Sequence, residues 1–216
     1  MPKINSSNSL GSSIQIPYYN VVAENKDFTL SPRIFFDDKF MLQSEYRQVN
    51  KFTKSIYDHS FVRDDDNTKS HFFGNIYSLK NDNKIELNIE TTSNKDYLQK
   101  YNVNSELVKN DSLLNSYLTY EKNNDDYYFI SSLEVFEDLT ENDSDSYEYI
   151  YPNYKFGKNF DTKIGGKFEF YSSGYQKKYE TNRYDGLIVN DLRYVSEIFM
   201  KDEGVINNFA LVLKNV

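Results

Sequence analysis

The stretch from Ile14 to Val49, IQIPYYNVVAENKDFTLSPRIFFDDKFMLQSEYRQV, constrains the fold more than any other part of the chain. Three short segments of alternating apolar and polar residues are joined there by two tight polar turns, Glu24-Asn25-Lys26 and Asp37-Asp38-Lys39. A period of two between such turns is the pattern of antiparallel strands, and consecutive repeats of it make a β-meander. Residues directly opposite in an antiparallel pair share a face, so a register can be tried from the turns. Phe36 opposite Phe40 sets Ile34 against Leu42 and Phe28 against Gln48, with Arg33 against Gln43 and Ser31 against Glu45 on the other face. Ala23 opposite Asp27 adds Ile16, Tyr18 and Val22 to the side of Phe28, Leu30 and Ile34. One face is mostly apolar and the other mostly polar.

Pro17 and Pro32 interrupt this ladder. Proline has no N–H to donate, so within sheets it belongs on edges or at weakened pairings. On that ground the two prolines are either incidental edge residues or a weak point with a purpose.

The 20 Tyr and 16 Phe among 216 residues favour strands over helices. A formal charge of −8 and the lack of any Lys/Arg run argue against a nucleic-acid partner. No cysteine is present, which excludes disulfides and thiolate metal sites within this stretch while leaving the compartment open. Met1 to Gly11 is polar and Ser/Asn-rich, without the apolar segment of a signal peptide. No run of about 18 apolar residues is available to span a bilayer as a helix. The mean hydropathy of −0.73 does not remove the membrane from consideration, because a transmembrane strand shows lipid only every second side chain.

Further strands are expected at Phe52 to Val62, Ser70 to Lys80, Lys84 to Thr91, Leu114 to Glu121, Tyr127 to Val135, Tyr147 to Phe156, Ile164 to Tyr175, Leu187 to Met200 and Val205 to Leu213. With Lys80 opposite Lys84, Leu79 meets Ile85 and Tyr77 meets Leu87, while Ser78 meets Glu86 and Gly74 meets Glu90. Ser93 to Asp111 has no sustained period and reads as an excursion away from the sheet. The strands fit the roughly 9–11 residues a transmembrane barrel strand needs. A soluble β-sandwich alternates in the same way, so periodicity alone leaves both open.

The opening stretch resembles the first strands of the outer-membrane lipopolysaccharide-assembly family LptD, also called OstA. The matching residues are Ile16-Pro17-Tyr18-Tyr19, Asn25-Lys26-Asp27, Thr29-Leu30 with Pro32-Arg33, and Leu42 followed by Glu45-Tyr46-Arg47. The resemblance implies an all-β fold: an antiparallel up-and-down meander forming part of a transmembrane β-barrel, a curved open sheet when taken alone. It implies that residues 1–13 are a junction from a periplasmic jellyroll, that 14–216 are the N-terminal strands of the barrel, and that Met1 lies inside a longer protein. The implied function is a non-enzymatic translocon that inserts lipopolysaccharide into the outer leaflet through a lumen and a lateral gate, in the outer membrane of a Gram-negative bacterium. Implied partners are lipopolysaccharide, a plug lipoprotein of the LptE type, and periplasmic bridge proteins reached through the jellyroll.

On this reading Pro17 and Pro32 sit at the lateral gate, where missing ladder bonds ease strand separation by roughly 1 kcal/mol each. Arg33, Glu45, Arg47, Glu86 and Glu90 form the lumenal polar face. Ile16, Tyr18, Leu30, Ile34 and Leu42 face lipid or its interface, and Tyr18, Tyr19, Tyr127 and Tyr128 are candidates for an aromatic girdle. No catalytic residue, metal or cofactor is expected. His59 and His71 have no nucleophile in a recognisable elbow and read as interfacial or lumenal side chains. Asp143 and Asp145, like Asp64-Asp65-Asp66, have ion-like spacing but lack the glycine and terminal Glu of a calcium loop, and read as solvated loop charge. A stand-alone porin-like or adhesion barrel and a soluble β-sandwich binding module remain the alternatives.

Overall fold

The computed structural model describes residues 2–7, 10–37, 39–64, 67–108, 110–141, 145–163, 165–180, 182–200 and 204–215. Asp65, Asp66 and Asp143, singled out above, lie outside them. The elements run β1 (Lys3–Ser7), β2 (Gly11–Gln15), β3 (Tyr18–Ala23), β4 (Lys26–Phe35), β5 (Phe40–Val49), β6 (Thr53–Asp64), β7 (Asn67–Lys80) and β8 (Asn83–Thr92). A short helix α1 (Tyr97–Tyr101) precedes β9 (Leu113–Asn123), β10 (Tyr127–Asp138), β11 (Tyr147–Asp161), β12 (Lys167–Tyr179) and β13 (Arg183–Val195). The chain closes with a small hairpin, β14 (Phe199–Met200) and β15 (Ile206–Asn207), and then β16 (Ala210–Asn215).

A single 14-stranded antiparallel sheet holds all strands but that hairpin, in sequential order from β1 to β16 with β3 joined to β4. Its two ends do not meet, so the sheet is open, as the sequence pattern implies for these strands taken alone. Strands alternate up and down, so the connections after β4, β6, β8, β10 and β12 share the end at which β2 begins. Those after β3, β5, β7, β9, β11 and β13 lie at the other end.

The sheet begins earlier than the meander predicts, because β1 and β2 pair within residues 3–15. Three registers also differ from the sequence expectation. Between β3 and β4, Val21 and not Ala23 lies opposite Asp27, a slip of two, and a bulge then sets Ala23 against Lys26. Between β4 and β5 the pairs are Ile34 with Phe40, Pro32 with Leu42 and Arg33 with Met41, a slip of two from the register tried above. Phe36 is not held by β5: its N–H donates to Ser12 of β2 at 3.1 Å, and the turn widens. A slip of two leaves every side chain on its face, so the division of faces survives.

Between β7 and β8 the slip is one, which exchanges faces. Lys80 pairs with Asn83, so Leu79 meets Lys84, Tyr77 meets Glu86 and Phe73 meets Glu90. Asn81 adopts a left-handed conformation (φ 52°), which lets Asn81-Asp82 close the hairpin without the third residue the sequence reading assumed.

The core lies between one face of the sheet and the β8–β9 connection. Phe35, Met41, Val62, Phe73 and Leu114 from the strands are buried with Tyr97, Leu98 and Tyr101 of α1, joined by Leu10 and Leu139. This corrects the expectation that the stretch after Ser93 leaves the sheet. The opposite face has no such cover: Ile34, Phe36, Leu118, Leu133 and Ile188 are 42–69% exposed.

Candidate functional site

The chain from Gly11 to Ala23 is one strand with a break. Gln15 pairs with Arg33 and Tyr18 with Leu30, a constant register along β4, but between them lie Ile16-Pro17 on one side and Ser31-Pro32 on the other. The Ile16 N–H donates to the Pro32 carbonyl at 3.0 Å. Ile16 and Pro32 therefore form a hydrogen-bonded pair, in which two bonds are normally exchanged, and Pro32 cannot supply the second. Backbone groups alternate sides along a strand, so the missing donor of Pro17 faces away from β4. That side is open among the described residues: β1 covers β2 as far as Gln15, and β3 pairs with β4 alone.

All five residues expected on a polar face do share one. Following the pairings from Arg33 to Met41, Val62 and Lys69, with His71 two residues further along β7, and onward brings Arg33, Glu45, Arg47, Glu86 and Glu90 to the side that α1 covers. None of them is an idle charge. The Arg47 Nε donates to Asp27 Oδ1 at 2.9 Å, with Glu45 3.5 Å away. Glu86 accepts from the Tyr117 hydroxyl at 2.7 Å. Glu90 accepts from the Asn115 N–H at 2.8 Å and from Asn88 Nδ2 at 2.9 Å. Arg33 is buried, its Nε donating to Ser13 Oγ at 2.9 Å and its Nη1 to the Tyr101 carbonyl at 2.6 Å. Tyr18, Leu30, Ile34 and Leu42 lie on the other face with the register position of Ile16, as the alternation predicts.

The group the sequence reading missed sits beneath α1. Asp58, Ser60 and His71 on β6 and β7 are at most 1% exposed, sealed by the equally buried Tyr97. Ser60 Oγ is 2.6 Å from His71 Nδ1 and 2.6 Å from the Tyr97 hydroxyl. His71 Nε2 lies 3.3 Å from Asp58 Oδ1, and the His71 ring stacks on Phe73 at 4.2 Å. Gln43 Nε2 bridges Asp58 Oδ2 at 3.0 Å and the Asn104 carbonyl at 2.9 Å. Burial pushes the Tyr97 hydroxyl up to about 12, so it stays a neutral donor. The proton order Tyr97 to Ser60 to His71 Nδ1, with Nε2–H donating to Asp58, satisfies each atom. The constellation copies the members of a nucleophilic triad, but Ser60 is fully buried and its hydroxyl bridges His71 to Tyr97 of α1. His59, between Asp58 and Ser60 on β6, points to the other face and is exposed. The signal available in sequence was the spacing of Tyr97, Leu98 and Tyr101, one apolar face of a single helical turn.

The class these features define is an open, up-and-down antiparallel sheet with a polar face partly lined by its own connection, an uncovered apolar face, and a first strand broken at Pro17 beside Pro32 of β4. No protein-family model matches the chain. Over 82 residues, 38% of the chain, it is 32% identical to the LPS-assembly protein LptD of Paraburkholderia xenovorans (strain LB400). The matched part spans 10% of that protein's length.

Proposed function

We propose that this chain supplies strands of an outer-membrane β-barrel of the LptD type, which inserts lipopolysaccharide into the outer leaflet through a lumen and a lateral gate. The carrying observation is the break itself: Pro32 withholds a ladder bond from Ile16, and beside it β3 presents an unpaired outer edge at Pro17. The similarity to a protein named for LPS assembly supports the same reading. The face bearing Arg33, Glu45, Arg47, Glu86 and Glu90 then lines the lumen, and the face bearing Ile16, Tyr18, Leu30, Ile34 and Leu42 meets lipid. Further strands beyond β16 complete the wall, and the last of them closes against β3 to form the gate.

Lipid also accounts for the uncovered apolar face, since large apolar patches are rare on soluble monomers and mark membrane or protein contacts. A soluble sandwich needs a second sheet there, and the strands outside the main sheet are β14 and β15, two residues each among the described residues. The protein is not an enzyme on this reading, and takes no cofactor. Its partners are lipopolysaccharide, an LptE-type plug lipoprotein, and periplasmic bridge proteins acting through a jellyroll; its place is the Gram-negative outer membrane.

The test is a pair of cysteines, one at Tyr19 and one on the last strand of the complete protein, in cells depleted of the native copy. Crosslinking that blocks arrival of new lipopolysaccharide at the cell surface, with recovery on reduction, is the expected result. Normal export through a fully crosslinked seam would remove the gate.

A further inference from the structure

We propose that the β8–β9 connection is a strap that locks the broken strand pair: docked, it fixes β2 against β4 through Arg33, and undocked it releases them. The strap lies at the end of the sheet where β2 begins and folds back over the inner face. Its helix has five residues, far below the length at which a helix is stable by itself, so its order depends on the sheet beneath it. Tyr97 and Tyr101 are fully buried and Leu98 is 3% exposed.

Arg33 follows the proline that withholds a bond, and its guanidinium reaches two elements at once. Nε holds Ser13 on β2 at 2.9 Å, while Nη1 is held by the carbonyl of Tyr101 at the helix end at 2.6 Å. Ser13 is fully buried and pairs directly with Phe35, whose ring stands edge-on to Tyr101 at 6.3 Å. The bond absent at Pro32 is thus replaced by a side-chain bridge whose far anchor belongs to the strap. A planar fork with two fixed acceptors keeps its position only while both are present. Loss of the Tyr101 carbonyl leaves the guanidinium free to leave Ser13, and the break at Ile16-Pro17 loosens. Arg33 acts here as a positioning residue.

Coupling of this kind is reciprocal, so whatever parts β2 from β4 must also favour release of the strap. An acyl or sugar group that parts β2 from β4 on its way to the gate would lift a segment lying across the inner face, and the reseated strap would close the path behind it. That consequence rests on the gate reading proposed above; the coupling does not.

Amide exchange of the complete protein in lipid nanodiscs reads the coupling directly. Leu98→Ala should speed exchange of residues 95–103 and, in parallel, of residues 12–16 and 34–36, by about tenfold, leaving β11 and β12 unchanged. Tyr97→Phe is the milder variant if Leu98→Ala does not fold. With Arg33→Met already in place, either strap variant should change the strap alone. Faster exchange confined to the strap in the presence of Arg33 would overturn the proposal. Export that survives a crosslinked seam would remove the gate and leave the exchange result standing, so the two failures are distinguishable.

Discussion

Pro32 accepts a hydrogen bond from Ile16 at 3.0 Å and returns none. The ladder between the first strand and β4 is therefore weakened at one hydrogen-bonded pair, while the proline on the first strand faces the open edge. The two prolines do different things: one loosens an internal pairing, and the other removes a donor from the outer edge of the first strand.

Restoring the donor should show this difference. Pro32→Ala supplies an N–H facing the Ile16 carbonyl, so exchange of the neighbouring β2 and β4 amides should slow about fivefold, the equivalent of ~1 kcal/mol. Pro17→Ala should leave those amides unchanged and instead strengthen crosslinking across the outer edge. Equal effects on the internal amides would contradict the assignment of sides.

The uncovered face separates membrane from water. Leu118, 42% exposed, lies amid Leu87 and Leu133 on that face. Leu118→Arg should cost about 2–4 kcal/mol of folding free energy in lipid vesicles if the site lies near the bilayer midplane. In a water-facing sheet the same change would be neutral and would improve solubility. Urea titration of vesicle-folded protein decides between them.

Asn81 carries the β7–β8 register. At φ 52° a β-branched side chain is strained, so Asn81→Val should destabilise by about 1–2 kcal/mol, whereas Asn81→Gly should be neutral or better. Thermal unfolding in detergent measures both. Equal midpoints for the two variants would place the turn outside the left-handed region.

Alkali should release the strap. The Tyr97 hydroxyl is raised by burial from 10.0 to about 12, so docking is at full strength below pH 10 and is lost as pH rises toward 12. The chain has no cysteine, so a spin label at Glu106→Cys, an exposed strap position, reports on this segment alone. Its mobility should rise over that range, and the transition should disappear in Tyr97→Phe. A transition that persists in Tyr97→Phe would assign it to another group.

Arg33→Lys keeps the charge and loses the fork. A single ammonium cannot hold the geometry of Ser13 Oγ and the Tyr101 carbonyl together, so a loss of about 1–3 kcal/mol is expected in unfolding of the complete protein. An unchanged midpoint would mean that Arg33 is not the joint.

Much of the architecture is legible in the chain itself. Alternation is a local property, and it placed Arg33, Glu45 and Arg47 opposite Leu30, Ile34 and Leu42 even where the register was off by two, because a shift of two preserves faces. It failed at β7–β8, where one turn residue in the left-handed region shortened the loop by one and put Leu79 and Ile85, expected on one face, on opposite faces.

The sequence by itself determined an antiparallel meander with two unlike faces and a first strand pair weakened by proline, since period, turn chemistry and a missing N–H are written residue by residue. Only the tertiary structure decided what the prolines face, that Arg33 is buried as a joint, and that Tyr97, Leu98 and Tyr101 fold back to seal Asp58, Ser60 and His71. Those outcomes depend on contacts such as Arg33 with Tyr101, far apart in the chain. No local pattern encodes which distant surface a single helical turn will find, because its stability comes from that surface and not from the turn.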